Sequence, residues 1–320
     1  MIVASINKAE EKNKLSIPGQ VFCNHFIAIS KHLKGDIDAY DLKKVKYFTT
    51  KLFNKPGYEL DRIKKLLWNS WSTEHALHLT AKQGNTDYCK YALHWSFPQA
   101  YYSCYLNMHA FCLAIGDTRQ THSDLIKAFG ERVIKNSYPK SISFYADGNF
   151  EDYTVHNLPL QNIKSAISQI KSDADAQSQI ATFLKSTRTN SAKYHREKRQ
   201  NSSNPITTKA GTLCQSFNKE QWEIITNRLG PTTLFNILYR LRIKANYNDI
   251  ESFMHADINF QQFHECLMDT VSYLNFVHES YLAKAVGLKK YAMILNGFPA
   301  HMSDSFVRSR YEQRIIPLIK

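Results

Sequence analysis

The stretch LHWSFPQAYYSCYLNMHAFCLAIGDTRQTHSDLIKAF, Leu93 to Phe129, decides the fold. Pro98 suits the first turn of a helix, where its missing N–H costs nothing. From Gln99 to Ile115 there is neither Gly nor Pro. Small residues (Ala100, Ser103, Ala110, Ala114) alternate with large ones (Tyr101, Tyr102, Tyr105, Leu106, Met108, Phe111, Leu113). A helix apolar on nearly every side is a buried helix, and its small side chains let neighbouring helices approach closely. Gly116 ends it as a C-cap. Thr121 caps the next helix, with Asp124 three residues on in a variant of the capping box. A chain built round such a helix is mainly α.

The composition agrees. Only 11 Gly and 9 Pro in 320 residues are few for a turn-rich β fold. Hydrophobic residues at 43% and aromatics at 12% make a globular chain, not a disordered one. The net charge of +13 points to an anionic partner, nucleic acid first and a membrane surface second. A basic protein with no such partner is the plainer alternative. The six cysteines (Cys23, Cys89, Cys104, Cys112, Cys214, Cys266) form no C-x-x-C. That is a reduced, cytoplasmic pattern rather than a disulfide framework or a zinc site. The opening MIVASINKAEEKNK has no apolar run long enough for a signal peptide, and no stretch approaches about 18 uninterrupted apolar residues, so no membrane span is expected.

Residues 1–57 read as an N-terminal helical unit, with Phe22, Phe26, Ile29 and Leu33 at helical spacing and a break at Pro56-Gly57. Residues 58–135 hold the first part of a helical bundle. A helix from Tyr58 to Lys82 ends at Gly84-Asn85, and a second piece, Asp87 to Trp95, leads to the central helix. His75 and His78, three apart, can share a metal on one face, but no carboxylate or Cys completes a set. Structural histidines are the simpler reading, and no metal or cofactor is expected. Residues 136–215 change character: a β-hairpin around an Asp147-Gly148 turn, then a polar helical region with Ile163, Ile167, Ile170, Ile180 and Phe183 as an interrupted stripe. This reads as an insertion that splits the bundle. Residues 216–290 resume it, with a helix capped by Thr232 or Thr233, the piece Asp249 to His255, and a long helix from Phe260 to about Val286 capped by Asn259 and closed by Gly287. Residues 291–320 are a basic and apolar tail. No internal repeat, phosphate-binding Gly loop or nucleophile elbow occurs.

Two blocks carry a family resemblance. Ala100-Tyr101-Tyr102 in a helix, followed by Thr121-His122-Ser123-Asp124-Leu125-Ile126 and Phe129, resembles the HEPN family of helical domains. Leu241-Arg242-Ile243-Lys244-Ala245-Asn246-Tyr247-Asn248-Asp249 resembles the segment that opens that family's later helices, with Asn246 where Asp is common. The resemblance implies a HEPN-like bundle and RNA as the partner. It also implies a homodimer whose sites are shared across a two-fold axis. Family members serve in toxin–antitoxin and phage-defence systems, and the catalytic ones are metal-independent endoribonucleases.

The catalytic signature implied is Arg, four to six residues, then His. Arg188 and His195 fit it, two helical turns apart and within about 20° of one face. Cleavage by the RNA's own 2′-hydroxyl needs a proton acceptor near neutral pH, which His supplies, and a cation beside the phosphate, which Arg supplies. Lys185, Lys193, Arg196, Lys198 and Arg199 surround the pair as candidate phosphate contacts, and Tyr194 can stack on a base. The plainer reading is a chance pair on a solvated helix end. Thr189 stands where the family commonly has Asn, Asp or His. His122 is a second candidate, with capping or packing as its simpler role. Arg240, Arg242, Lys244 and Tyr247 can form a phosphate-binding face, or Tyr247 can plug the bundle. The sequence thus leads to a HEPN-like RNA-binding protein with possible endoribonuclease activity. The alternative is a non-catalytic module that binds and regulates a protein partner, such as an antitoxin. A membrane-surface role lacks the Trp and Phe it needs along Lys185 to Arg199.

Overall fold

Phe263, Leu267, Val271, Leu274, Val277 and Tyr281 recur at spacings of three and four, so one face of their helix must be buried. All six are buried. The computed structural model describes residues 2–50, 59–82, 85–162, 170–245, 253–254, 256–303 and 306–320, with backbone alone for 2–16 and 303. The expected breaks at Pro56-Gly57 and Gly84, the helix start at Tyr58, and Ile163, Ile167, Asn246, Tyr247, Asn248, Asp249 and His255 lie outside these residues.

The elements are α1 (Ile2–Gly35), α2 (Lys46–Thr50), α3 (Leu60–Lys82), α4 (Thr86–Ala114), α5 (His122–Ile134), β1 (Tyr145–Asn149), β2 (Asp152–His156), α6 (Asp173–Gln200), α7 (Lys219–Thr226), β3 (Thr232–Thr233), α8 (Leu234–Lys244), α9 (Phe260–Val286), α10 (Leu288–Asn296), α11 (Ala300–Ser303), α12 (Val307–Arg310) and α13 (Ile316–Ile319). The fold is mainly α with one small antiparallel sheet, strand order β2-β1-β3. Helices α3, α4 and α9 pack together at the centre, with α1 against α6 and α9 and α8 against α4. Small residues set the closest approach: the Ser70 hydroxyl donates to the Ser103 carbonyl at 2.8 Å, and the Ser103 hydroxyl donates back to Ser70 at 3.2 Å. Caps form as their chemistry dictates at Thr121, Thr233 and Asn259, and Gly287 takes a positive φ at the end of α9.

Two expectations change. Pro98 lies inside α4, not in a first turn. The helix starts earlier, at Thr86, where the Asn85 side chain accepts from the Asp87 and Tyr88 N–H groups, and packing against α3 and α9 carries it through the proline. The hairpin turn falls at Phe150-Glu151, not at Asp147-Gly148, which pair with Thr154 and Tyr153 inside the ladder. Gly148 does have a positive φ, and a Cβ there would meet the Asp152 carbonyl, so the glycine bends a strand rather than turning a corner. Residues 136–215 make contacts with both flanking parts of the chain. Phe183 of α6 lies 5.0 Å from Phe22 and 5.7 Å from Phe26, ring to ring, and β1 pairs with β3 at the start of α8.

The basic tail is also partly internal. Arg310 reaches into the core between Glu74 of α3 and Glu279 of α9, both fully buried, with 2.6 Å to Glu279. Trp71, Asn107 and Tyr291 donate to Glu279, and Ser272 and Asn275 donate to Glu74. Burial works to raise the Glu74 pKa, but Arg310 and His78 outweigh it and hold the carboxyl down at about 2.

Candidate nucleic-acid site

Arg188 and His195 both sit on α6, but the structure does not bring them together. Arg188 is 3% exposed. Its guanidinium donates to the Gly148 carbonyl at 2.9 and 3.2 Å and to the Gly230 carbonyl at 2.7 Å, and it lies 5.3 Å over the Tyr153 ring. It joins the hairpin to the loop before β3, a structural position. His195 is exposed two turns on, its ring against Tyr194. Partial burial and Lys198 hold its pKa below the ordinary value. Lys185, Lys193, Tyr194 and Lys198 are exposed, whereas Arg196 folds over Phe217 and Trp222 and donates to the Gln215 carbonyl. Arg199 is partly buried. Arg188 is thus buried on backbone carbonyls of the hairpin and of the loop before β3, while His195 lies at the surface.

The face expected from Arg240, Arg242 and Lys244 divides as well. Residues two apart on a helix point to different sides. Arg240 turns toward α6, donating to the Ser186 and Thr187 hydroxyls at 2.8 and 3.1 Å over the Phe22 and Phe183 rings. Burial lowers its pKa to about 10. Arg242 turns the other way, toward α4. Lys244 stands in the same last turn of α8.

Arg242 enters a cluster that no single stretch of sequence contains. Its guanidinium lies 5.2 Å over Tyr102, 5.8 Å over Tyr239 and 6.0 Å over Tyr101, and its Nε donates to the Tyr102 hydroxyl at 3.0 Å. His122, the first residue of α5, joins the same rings: 4.3 Å to Tyr105, 5.5 Å to Tyr101 and 5.9 Å to Tyr102 between centroids. Its Nδ1 is 2.7 Å from the Tyr101 hydroxyl, and the Tyr105 hydroxyl donates to the Gln120 carbonyl. Tyr101 is buried, while Tyr102, Tyr105, His122, Tyr239 and Arg242 are partly open to solvent.

Burial and the neighbouring Arg242 lower the His122 pKa, so its ring is neutral at pH 7. Burial pushes the Tyr101 hydroxyl up, so it keeps its proton. The arrangement offers a planar cation with N–H edges, a neutral imidazole beside it and aromatic faces around both. Such a set can hold a phosphate and stack a base. The three contributing segments are the helix Ala100–Tyr102, the Thr121–His122 cap and the Leu241–Arg242 helix end. Reading them one at a time hid the site, because His122 and Arg242 become neighbours only when α5 and α8 both pack on α4.

Among the described residues, no group of three His, Cys, Asp or Glu is placed to hold a metal ion, and no helix is long and apolar enough to cross a membrane. Compared with protein-family models, curated proteins and solved structures, the chain matches none of them.

Proposed function

We propose that this chain is an RNA-binding protein of the HEPN-like kind that holds a single-stranded RNA at the Arg242–His122 cluster. The observation that carries the reading is the Arg242 guanidinium lying over three tyrosine rings that it shares with His122. Aromatic faces accept unpaired bases, Arg accepts the phosphate between them, and the +13 net charge draws the polyanion in. The family resemblance adds a homodimer and a toxin or phage-defence setting to the proposal.

One observation favours a second step, cleavage without a metal. A neutral His122 can take the proton of a 2′-hydroxyl as its oxygen attacks the adjacent phosphorus. The 5′-oxygen then leaves with a proton from solvent, and Arg242 faces the negative charge that builds on the phosphate.

The test is a mixed RNA pool in EDTA with the wild type, Arg242→Ala, His122→Ala and His195→Ala. Arg242→Ala should lose about 10- to 150-fold in affinity, the loss of one charge-assisted contact. His122→Ala should keep most of the binding and lose 2′,3′-cyclic phosphate products, while His195→Ala keeps both. Loss of cleavage in His195→Ala but not in His122→Ala would return the site to α6. Absence of RNA binding by the wild type at low salt would refute the RNA reading and favour a regulator that binds protein.

A further inference from the structure

Helix α4 leaves large aromatic side chains in solvent along one line. Tyr88 is 48% exposed, Tyr91 63% and Trp95 67%. At 100° per residue these three and Tyr102 fall within about 60° of one another around the axis. Gln99 lies on the same side, partly exposed. The line runs for about 21 Å from Tyr88 to Tyr102 at 1.5 Å per residue. It ends where Arg242 covers Tyr102. Core-facing residues of the same helix, Cys89, Leu93, Phe97 and Ala100, are all buried, so the outer aromatics are not needed to close the core.

Cations stand near both ends of the line. The Lys90 ammonium lies 5.8 Å over the Tyr91 ring, and the Arg242 guanidinium lies 5.2 Å over Tyr102 at the far end. The single carboxylate of α4 is Asp87, in its first turn. Exposed aromatics with cations at both ends match a strand that presents flat bases and negative phosphates. An apolar helix of a partner protein would need a wide aliphatic face, and this line offers rings separated by polar positions.

We propose that the Tyr88–Tyr91–Trp95–Tyr102 line is a stacking track for single-stranded RNA, leading about four nucleotides, one base to each ring, into the Arg242–His122 cluster. The proposal rests on the RNA-binding reading of that cluster and extends it to substrate length and strandedness. The bound strand is unpaired, because bases in a duplex cannot stack on side chains.

The test is fluorescence anisotropy with labelled oligouridylate of about ten nucleotides and with a duplex of equal length. The proteins are the wild type, Trp95→Ala, Tyr91→Ala and Arg242→Ala, each checked by thermal melting. Both track residues are exposed, so these alanine variants should melt like the wild type. Stacking supports about 1–3 kcal/mol per base, so Trp95→Ala should weaken the single strand about 5- to 150-fold and the duplex less than about twofold. If Arg242→Ala loses the single strand while Trp95→Ala and Tyr91→Ala bind as the wild type does, the track is refuted and the cluster stands. If Trp95→Ala weakens duplex and single strand equally, stacking is refuted. If the wild type binds no single strand, the track and the RNA reading fail together, and the exposed aromatics are left to a protein partner.

Discussion

Arg310→Met removes the guanidinium that bridges two fully buried carboxylates. Glu74 and Glu279 are 0% exposed, and Arg310 meets both. Breaking a buried pair by removing one partner costs about 3–5 kcal/mol, because the remaining charge stays buried without compensation. Against a total stability of about 5–15 kcal/mol, that is a large share. It corresponds to a fall in Tm of roughly 6–10 °C at about 2 °C per kcal/mol for a chain of this size. The pH dependence identifies the mechanism. In the wild type Glu74 is held at about 2, below the roughly 4.3 of an unfolded Glu. That contribution is present at neutral pH and is lost only as pH falls through 4 toward about 2. Methionine reverses the sign. Without Arg310, burial works to raise the Glu74 carboxyl, so the folded variant takes up a proton the unfolded chain does not. Its deficit is then largest near pH 8 and shrinks as pH falls toward about 5. Urea melts of wild type and variant across that range measure the difference directly. A deficit under about 1 kcal/mol at pH 8, or one that does not change with pH, would refute the reasoning.

Acid should weaken the wild type well before its carboxylates protonate. Burial lowers His25 and His278 to about 3, helped by Arg240 and Arg132 respectively. Each therefore loses about 2 kcal/mol of stability between pH 6.5 and pH 5, where the unfolded imidazoles are charged and the folded ones are not; equal urea midpoints at pH 7 and pH 5 would contradict this. Arg188→Ala leaves the Gly148 and Gly230 carbonyls without their donor. It should cost about 2–3 kcal/mol of stability in a thermal melt. A variant that melts like the wild type yet cleaves no RNA would restore Arg188 to a catalytic role.

Much of the fold was legible in the sequence because helices are decided locally. The spacing of Phe263, Leu267, Val271, Leu274, Val277 and Tyr281 led to the bounds of the Phe260–Val286 helix, and Thr121 and Asn259 marked where helices begin. The errors have local causes as well. Pro98 invited a helix start, since the sequence does not show how firmly α3 and α9 hold the turns on both sides. Asp147-Gly148 has the composition of a turn, and its glycine does adopt a positive φ, but Arg188 and the pairing with β2 hold that dipeptide in a strand.

The candidate site divides along the same line. Composition alone determined a mainly helical, basic, aromatic-rich chain with reduced cysteines, because these properties are sums over residues. Tertiary structure alone decided which cations face inward. Arg188 and Arg310 resemble surface arginines in sequence, yet each meets carbonyls or carboxylates brought from distant segments and is buried by them. It also decided which histidine meets which arginine. His195 shares a helix with Arg188 and stays apart from it, whereas His122 and Arg242 stand far apart in the chain and share the same three tyrosine rings. Helical periodicity fixes directions only within one element; contact between elements depends on how their faces pack, and that information is spread over the whole core.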